Sequence, residues 1–488
     1  MVCRLLNTAA LLVATTIIRQ ATAESICTLS DSETCAVENL SVSDDDGSVL
    51  IYPGGNTRCA FDDYQDSVTT FSTNSTYFFQ VFLNSNLDKS KLMIFFQGGG
   101  ACADKDTCAF GLQCSLGASA TFSTAATASS SGVLDRSLED NMFKDWNVVF
   151  IPYCTGDIHI GNRVTAAYES GIETLLGNSQ CLGLDYAMHM NGYNNTMAVL
   201  DWARENYPDV EDLIVGGESA GSLGAQVHSA RIAEMWDVDA KGTRFSVLAD
   251  SYVGVVPQDD PAAELLVYYG ACTNDFGLSE DTVAACEAGT ATTIEMIEAL
   301  LQAQTDGNWL FINSKGDLTQ RYFYALVDEG ILGYPFSDLI SEEVFYANMS
   351  TILDAYQTVS SRITTFYVEG TKHVFLADAN FTSYESDEGL LLGDVINAWL
   401  VTNSSLNSNS SSKPTTQIPS TTTAASIVTT ATPSSTTKSG TQTTTSPSTT
   451  NAPTSTSASD TSSPSSTPST TSGPSSTPSP TTTAPLAC

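Results

Sequence analysis

The chain has 488 residues and sets 55 Asp and Glu against 19 Lys and Arg, for a formal charge of -36. That balance argues against a nucleic-acid partner, because phosphate contacts need clustered cations. A polyanionic substrate would have to be met by a local basic patch that the sequence does not display, and the acidity suits an acidic or saline exterior.

The first residues, MVCRLLNTAALLVATTIIRQATAES, place Arg4 before an apolar run and close on Ala21-Thr22-Ala23. This reads as a secretory signal peptide over residues 1–23. The run is too short for the roughly 20 residues of a spanning helix, so the mature chain is expected to have no transmembrane segment. Residues 24–402 are expected to form one domain. TYFFQVFLN and KLMIFFQ are two apolar runs with a turn-rich gap, which predicts a hairpin. NVVFIPY, DLIVGG, FSVLAD, WLFIN and TTFYVEG recur as strand-like runs with helical patterns between them. GYNNTMAVLDWARENYPDV carries Met197, Leu200 and Ala203 on one helical face, and EGLLLGDVINAWLV repeats that pattern near the end. Alternation of this kind implies an α/β fold, a mostly parallel sheet with helices on both faces. From Asn403 onward Ser, Thr and Pro dominate, so residues 403–488 read as a disordered tail or an O-glycosylated stalk. The last residues, TTTAPLAC, lack the apolar tail of a lipid-anchor signal.

Twelve cysteines include Cys3 in the leader and Cys488 at the C-terminus. The ten between them are Cys27, Cys35, Cys59, Cys102, Cys108, Cys114, Cys154, Cys181, Cys272 and Cys286. An even set in a secreted chain predicts disulfides whose pairing spacing does not fix. Clustered metal-ligand spacing is absent, so neither a metal nor a cofactor is expected. Sequons at Asn39, Asn74, Asn194, Asn348, Asn380, Asn403 and Asn409 are compatible with secretion and glycosylation.

The chemistry centres on Gly217-Glu218-Ser219-Ala220-Gly221, which follows an apolar strand and opens a helix. Glycines flanking a serine in a strand-turn-helix permit the sharp turn of a nucleophile elbow, though the motif alone also occurs by chance. A serine nucleophile needs a base, and the candidates are His159, His189, His228 and His373. His228 lies on the same predicted helix as Ser219, about 13 Å along it at about 1.5 Å per residue. The chain order Ser, acid, His excludes His159 and His189 and leaves His373, in a loop after a late strand. Two carboxylates at strand ends could be the acid, Asp250 and Asp317. Asp317 opens a helix and would also serve as its cap, and spacing does not choose between them. Gly98, Gly99 and Gly100 end an early strand, where bare amides together with that of Ala220 could hold an oxyanion.

Together these pieces resemble the pectin acetylesterase and Notum family of secreted α/β-hydrolases. The matching segments are FFQGGGACAD, IPYCTGDIHIG, GGESAGSLGAQ, LADSYVG, INSKGDLTQRYFY and GTKHVFL, in that order, across roughly Phe78 to Leu400. The resemblance implies a carboxylesterase with Ser219 as nucleophile, His373 as base and Asp317, in Asp-x-x-Gln with Gln320, as acid. It implies Gly99, Gly100 and Ala220 as oxyanion donors, a structural Asp250, and Asp157 and His159 as structural or substrate-facing residues near the cleft. Many members of the family have Cys where this chain has Glu218, and Gly where it has Ser222. Glu218 would place a carboxylate beside the cleft and alter which acyl group or alcohol is accepted. The expected substrate is an acetyl ester on a cell-wall or extracellular polysaccharide. A long-chain acyl ester on a protein is the alternative within the family, and a catalytically silent, stalked surface-binding protein is the alternative outside it.

Overall fold

The computed structural model describes residues 25–406 apart from residues 45, 66–71, 109–123, 166–186, 258–260, 305–306 and 335. For residues 261–263 and 402–406 it describes the backbone only. The expected signal peptide, the Ser/Thr/Pro tract beyond 406, Asn409, and Cys3, Cys114, Cys181 and Cys488 lie outside the described residues.

Nine strands build the central sheet: β1 Ile26–Thr28, β2 Ser48–Tyr52, β3 Phe79–Phe82, β4 Lys91–Phe96, β5 Asn147–Ile151, β6 Asp212–Glu218, β7 Arg244–Asp250, β8 Asn308–Ser314 and β9 Ile363–Val368. Their spatial order is β1-β2-β3-β5-β4-β6-β7-β8-β9. Within this sheet β3 runs antiparallel to both of its neighbours, and every other pairing is parallel. The chain has the α/β class expected from strand-helix alternation.

A parallel sheet of this kind is buried on both faces, which is why its strands read as continuous apolar runs. Side chains alternate between the faces. Leu92, Ile94 and Phe96 of β4 and Leu213 and Val215 of β6 join one core. Met93, Phe95, Ile214, Leu248, Leu310 and Phe366 join the other. The first core is covered by α1 (Gly192–Asn206) and α2 (Ala220–Trp236), which contribute Val199, Leu200, Ala203, Leu223 and Val227. Leu300 and Leu353, from the helices Thr293–Ala303 and Glu342–Val359, join the same core. The second face is closed by Ile396 and Trp399 of the helix Leu392–Leu406, with Phe143 and Trp146. Each large side chain taken out of water in this way contributes about 1.5–3 kcal/mol, so these two layers fix the strand ends on which the site is built.

The expected hairpin is not formed. β3 and β4 are consecutive and oppositely directed, but β5 lies between them. Polar side chains from distant segments hold it there. Asn147, at the start of β5, accepts from the Asn84 amide at 2.9 Å and donates to the carbonyls of Asp88 and Lys91 at 2.6 and 3.1 Å. The turn-rich gap is thereby tied to a third strand instead of closing a two-strand ribbon.

Eight of the body cysteines form four disulfides: Cys27–Cys35, Cys59–Cys154, Cys102–Cys108 and Cys272–Cys286. Among the described residues no helix is long and apolar enough to cross a membrane.

Candidate active site

Ser219 stands between β6 and α2 with φ 51° and ψ -124°. A non-glycine residue with positive φ is strained, and the surrounding glycines explain how the turn survives. A Cβ on Gly217 would lie 2.2 Å from the Gly221 carbonyl oxygen, and one on Gly221 would lie 2.2 Å from that of Phe96. The flanking glycines are therefore required by contact between backbones. β4 and β6 are adjacent, with Phe96 opposite Gly217, so the Gly98–Gly100 loop leaves the sheet beside the serine. A Cβ on Gly98 would come within 3.1 Å of the Ser219 Cβ. Ala220 opens α2, where the first amides have no carbonyl of their own helix to bond.

The loop that carries Gly99 and Gly100 is held at both ends. At its start, Gln97 donates its amide to the Ile151 carbonyl and accepts from the Tyr153 amide through Oε1. The Gln97 carbonyl accepts from His159 Nε2 at 2.9 Å. At its far end, the Cys102 amide bonds the Gly156 carbonyl at 2.9 Å, and Cys102 is disulfide-linked to Cys108.

His373 follows β9, and its Nδ1 lies 2.8 Å from Asp317 Oδ2. A carboxylate only accepts, so Nδ1 is the donor, and in a neutral imidazole Nε2 is then the nitrogen left to act as base. Nε2 is buried and has no hydrogen-bond partner among the described residues. Asp317 is fully buried and caps the helix Leu318–Glu329, accepting from the Gln320 amide at 3.0 Å through Oδ1. Gln320 Nε2 donates to Oδ2 at 3.0 Å. The cap and the imidazole partner are one carboxylate, so the two expectations for Asp317 describe the same residue.

Asp250, the other acid weighed from the sequence, ends β7 and makes different contacts. Its Oδ2 accepts the amides of Phe375 and Leu376, each at 2.8 Å, while Ser251 Oγ donates to Oδ1 at 2.7 Å. Its main-chain carbonyl accepts from the Ser219 amide at 2.8 Å. Burial pushes this carboxyl up to about 6 against the bonds that favour its charged form. It holds backbone, whereas Asp317 holds the imidazole.

Glu218 is partly exposed beside the serine. Burial chiefly, and then the charge of Asp250, push its carboxyl up to about 7, while His373 and the Gly98 amide oppose the rise. Asp157 and His159 lie within the protein at 0% and 2% exposure. Asp157 accepts from the Thr155 hydroxyl and from the amides of His159 and Gly192, which pins its loop to the start of α1. Of the two roles considered for this pair, the contacts are those of a structural one. His228 is also fully buried, and its Nε2 donates to the His159 carbonyl at 2.9 Å. Burial drives His159 down to about 3 and His228 to about 4, so both are neutral struts behind the glycine loop. His189, set aside by chain order, lies in a short strand pair at Met188–Met190.

Ser251 was not singled out from the sequence. It is an ordinary serine whose importance lies in contacts with residue 374, far along the chain. The one grouping with metal-ligand spacing among the described residues, Cys27, Glu33 and Cys35, has both thiols joined in a disulfide. A family model described as Pectinacetylesterase matches residues 72–274, a span that holds the glycine loop and Ser219 and stops before Asp317 and His373. No curated protein matches the chain.

Proposed function

For a chain that carries a pectinacetylesterase-family domain, we propose the work of a secreted serine carboxylesterase that removes acetyl groups from an extracellular polysaccharide. Ser219 Oγ attacks the ester carbonyl as His373 Nε2 takes its proton, and the tetrahedral intermediate collapses when that proton passes to the leaving alcohol. Water then repeats the sequence on the acyl-enzyme. Asp317 fixes the tautomer that leaves Nε2 free and stabilises the imidazolium formed on attack. The amides of Gly99, Gly100 and Ala220 receive the developing oxyanion, and in other serine hydrolases such a donor is worth about 3–4 kcal/mol. The leader and the disulfides support an oxidising, extracellular setting.

The observation that carries this reading is the bond of His373 Nδ1 to the buried Asp317, with Nε2 buried and unpaired. An unpaired buried nitrogen is costly, and a base awaiting a hydroxyl proton accounts for it. The test is acetate release from acetylated pectin and xylan by the purified chain, with fluorophosphonate labelling mapped to Ser219. Wild type should release acetate and take the label, while folded Ser219→Ala should do neither. Full activity in Ser219→Ala would overturn the reading, and preference for long-chain over acetyl aryl esters would move the substrate to a fatty acyl group.

A further inference from the structure

Segments that follow three strands meet around Asp250, and each carries a non-glycine residue at positive φ. Ser219 after β6 has φ 51°, Ser251 after β7 has φ 60°, and Val374 after β9 has φ 63°. For a β-branched residue such as valine a positive φ is a marked outlier, and such residues persist only where their surroundings over-determine them. Here the surroundings do so. The Val374 amide donates to Ser251 Oγ at 2.9 Å, and the next two amides donate to Asp250 Oδ2. Ser251 Oγ closes the set by donating to Asp250 Oδ1, and the Ser251 amide is fixed on the Ile312 carbonyl of β8 at 2.8 Å. Asp250 and Ser251 are both fully buried, so water does not compete for these bonds.

We propose that the Asp250–Ser251 pair is a positioning clamp that holds the His373 loop in register with the Ser219 turn. It does so from one residue. The Asp250 main-chain carbonyl fixes the amide of Ser219, and its carboxylate fixes the three-residue backbone that begins directly after His373, partly through Ser251. The clamp touches no substrate. It sets how closely the base and the hydroxyl approach, a distance to which proton transfer is steeply sensitive: misplacement by about 1 Å costs about 100-fold in rate. The inference rests on the esterase reading for its effect on rate, but the clamp itself can be read without activity.

The experiment uses the full chain as wild type, Asp250→Asn, Asp250→Ala and Ser251→Ala. Asparagine can keep the three amide tethers: its Oδ1 replaces Oδ2 as acceptor of two amides, and its NH2 donates to Ser251 Oγ, which still accepts from Val374 while its own O–H gives up the Asp250 acceptor. Three readouts are taken: the rate of fluorophosphonate labelling at Ser219, kcat and KM on an acetyl ester, and hydrogen exchange at the amides of residues 374–376. Asp250→Ala should label and turn over about 100-fold more slowly with KM little changed, and should lose protection at those amides. Ser251→Ala should fall about 10-fold, for loss of the Val374 tether and of the hydroxyl that donates to Asp250 Oδ1, with the two amide bonds to Oδ2 kept. Asp250→Asn should recover most of the rate and all of the protection, which a role resting on charge would not allow. If Asp250→Ala does not fold, Ser251→Ala and Asp250→Asn decide the matter. Wild-type labelling rates in folded Asp250→Ala, unchanged protection in it, or an Asp250→Asn as impaired as the alanine variant would each overturn the clamp. A wild-type chain that resists the probe would instead overturn the esterase reading, while the exchange data would still report whether the clamp exists.

Discussion

Replacing Glu218 by Gln should stabilise the protein, and by an amount that depends on pH. The carboxyl ordinarily titrates at 4.5 and is raised to about 7 in the fold, mainly by burial and then by Asp250. Between these values the folded state holds a proton that the unfolded state has released, so stability falls as pH rises. The contribution is intact below pH 4.5 and lost once pH passes about 7. At about 1.4 kcal/mol per tenfold, a rise of that size corresponds to about 3 kcal/mol, a ceiling because the side chain is partly exposed to water. Glutamine imitates the protonated acid and has nothing to lose. Denaturant unfolding of Ser219→Ala and Ser219→Ala/Glu218→Gln across pH 4 to 9, with activity thereby removed from both, isolates the effect. The two should be equally stable near pH 4 and should separate to as much as about 3 kcal/mol by pH 8. A difference that stays flat with pH, or that grows toward acid, would refute the placement of this carboxyl in a desolvated site beside Asp250.

Gly221→Ala should reduce hydrolysis far more than Gly224→Ala. The first Cβ would sit 2.2 and 2.6 Å from the Phe96 and Gln97 carbonyl oxygens, which are main chain and cannot move, whereas the second meets the His159 side chain at 3.2 Å. Equal activity and equal melting temperatures in the two variants would show that the elbow tolerates displacement. Removing Cys59–Cys154, which closes 95 residues, should lower the unfolding free energy by about 4.7 kcal/mol, against about 2.5 for Cys27–Cys35 over 8 residues, as denaturant curves of the paired Ser variants would show. His228→Phe should be about 1 kcal/mol less stable than wild type at pH 7, for loss of the bond to the His159 carbonyl. Because the fold lowers His228 from 6.5 to about 4, the unfolded state takes up the proton first as pH drops, and wild type loses stability from about pH 6.5 downward. The variant lacks that loss, so the gap should close and reverse by pH 4; parallel pH profiles of unfolding would refute the neutral-strut role.

The parallel strands were legible because a strand buried on both faces must be apolar along its whole length, as DLIVGG and WLFIN are. The order of strands was less so. Nothing near KLMIFFQ announces that β5 will pair between it and β3, because the bonds that insert β5 come from Asn147 to residues about sixty positions earlier. A turn-rich gap looks the same whether it closes a hairpin or is gripped by a third strand. Disulfide pairing was hidden for the same reason, since spacing in sequence carries no information about which strand ends coincide.

The site divides along the same line. Residues whose role follows from their own chemistry stood out: a serine between glycines, a histidine after the last strand, glycines after an early one. Residues whose role is conferred by neighbours did not. Asp250 and Asp317 are alike in sequence, each a carboxylate at the end of a buried strand, and they part only in what faces them: two amides and a serine hydroxyl for one, an imidazole for the other. His159 and His228 could be set aside as bases by position, but their place behind the Gln97 carbonyl depends on burial that no local pattern encodes. Strain follows the same rule. The glycines around Ser219 signal close contact between backbones, whereas Ser251 and Val374 are forced to positive φ by bonds to each other and to Asp250. Where local preference is overruled, something long-range must be doing so. An Ala substitution at Ser251 that let Val374 relax to negative φ without loss of rate would mean that the overruling serves the fold alone.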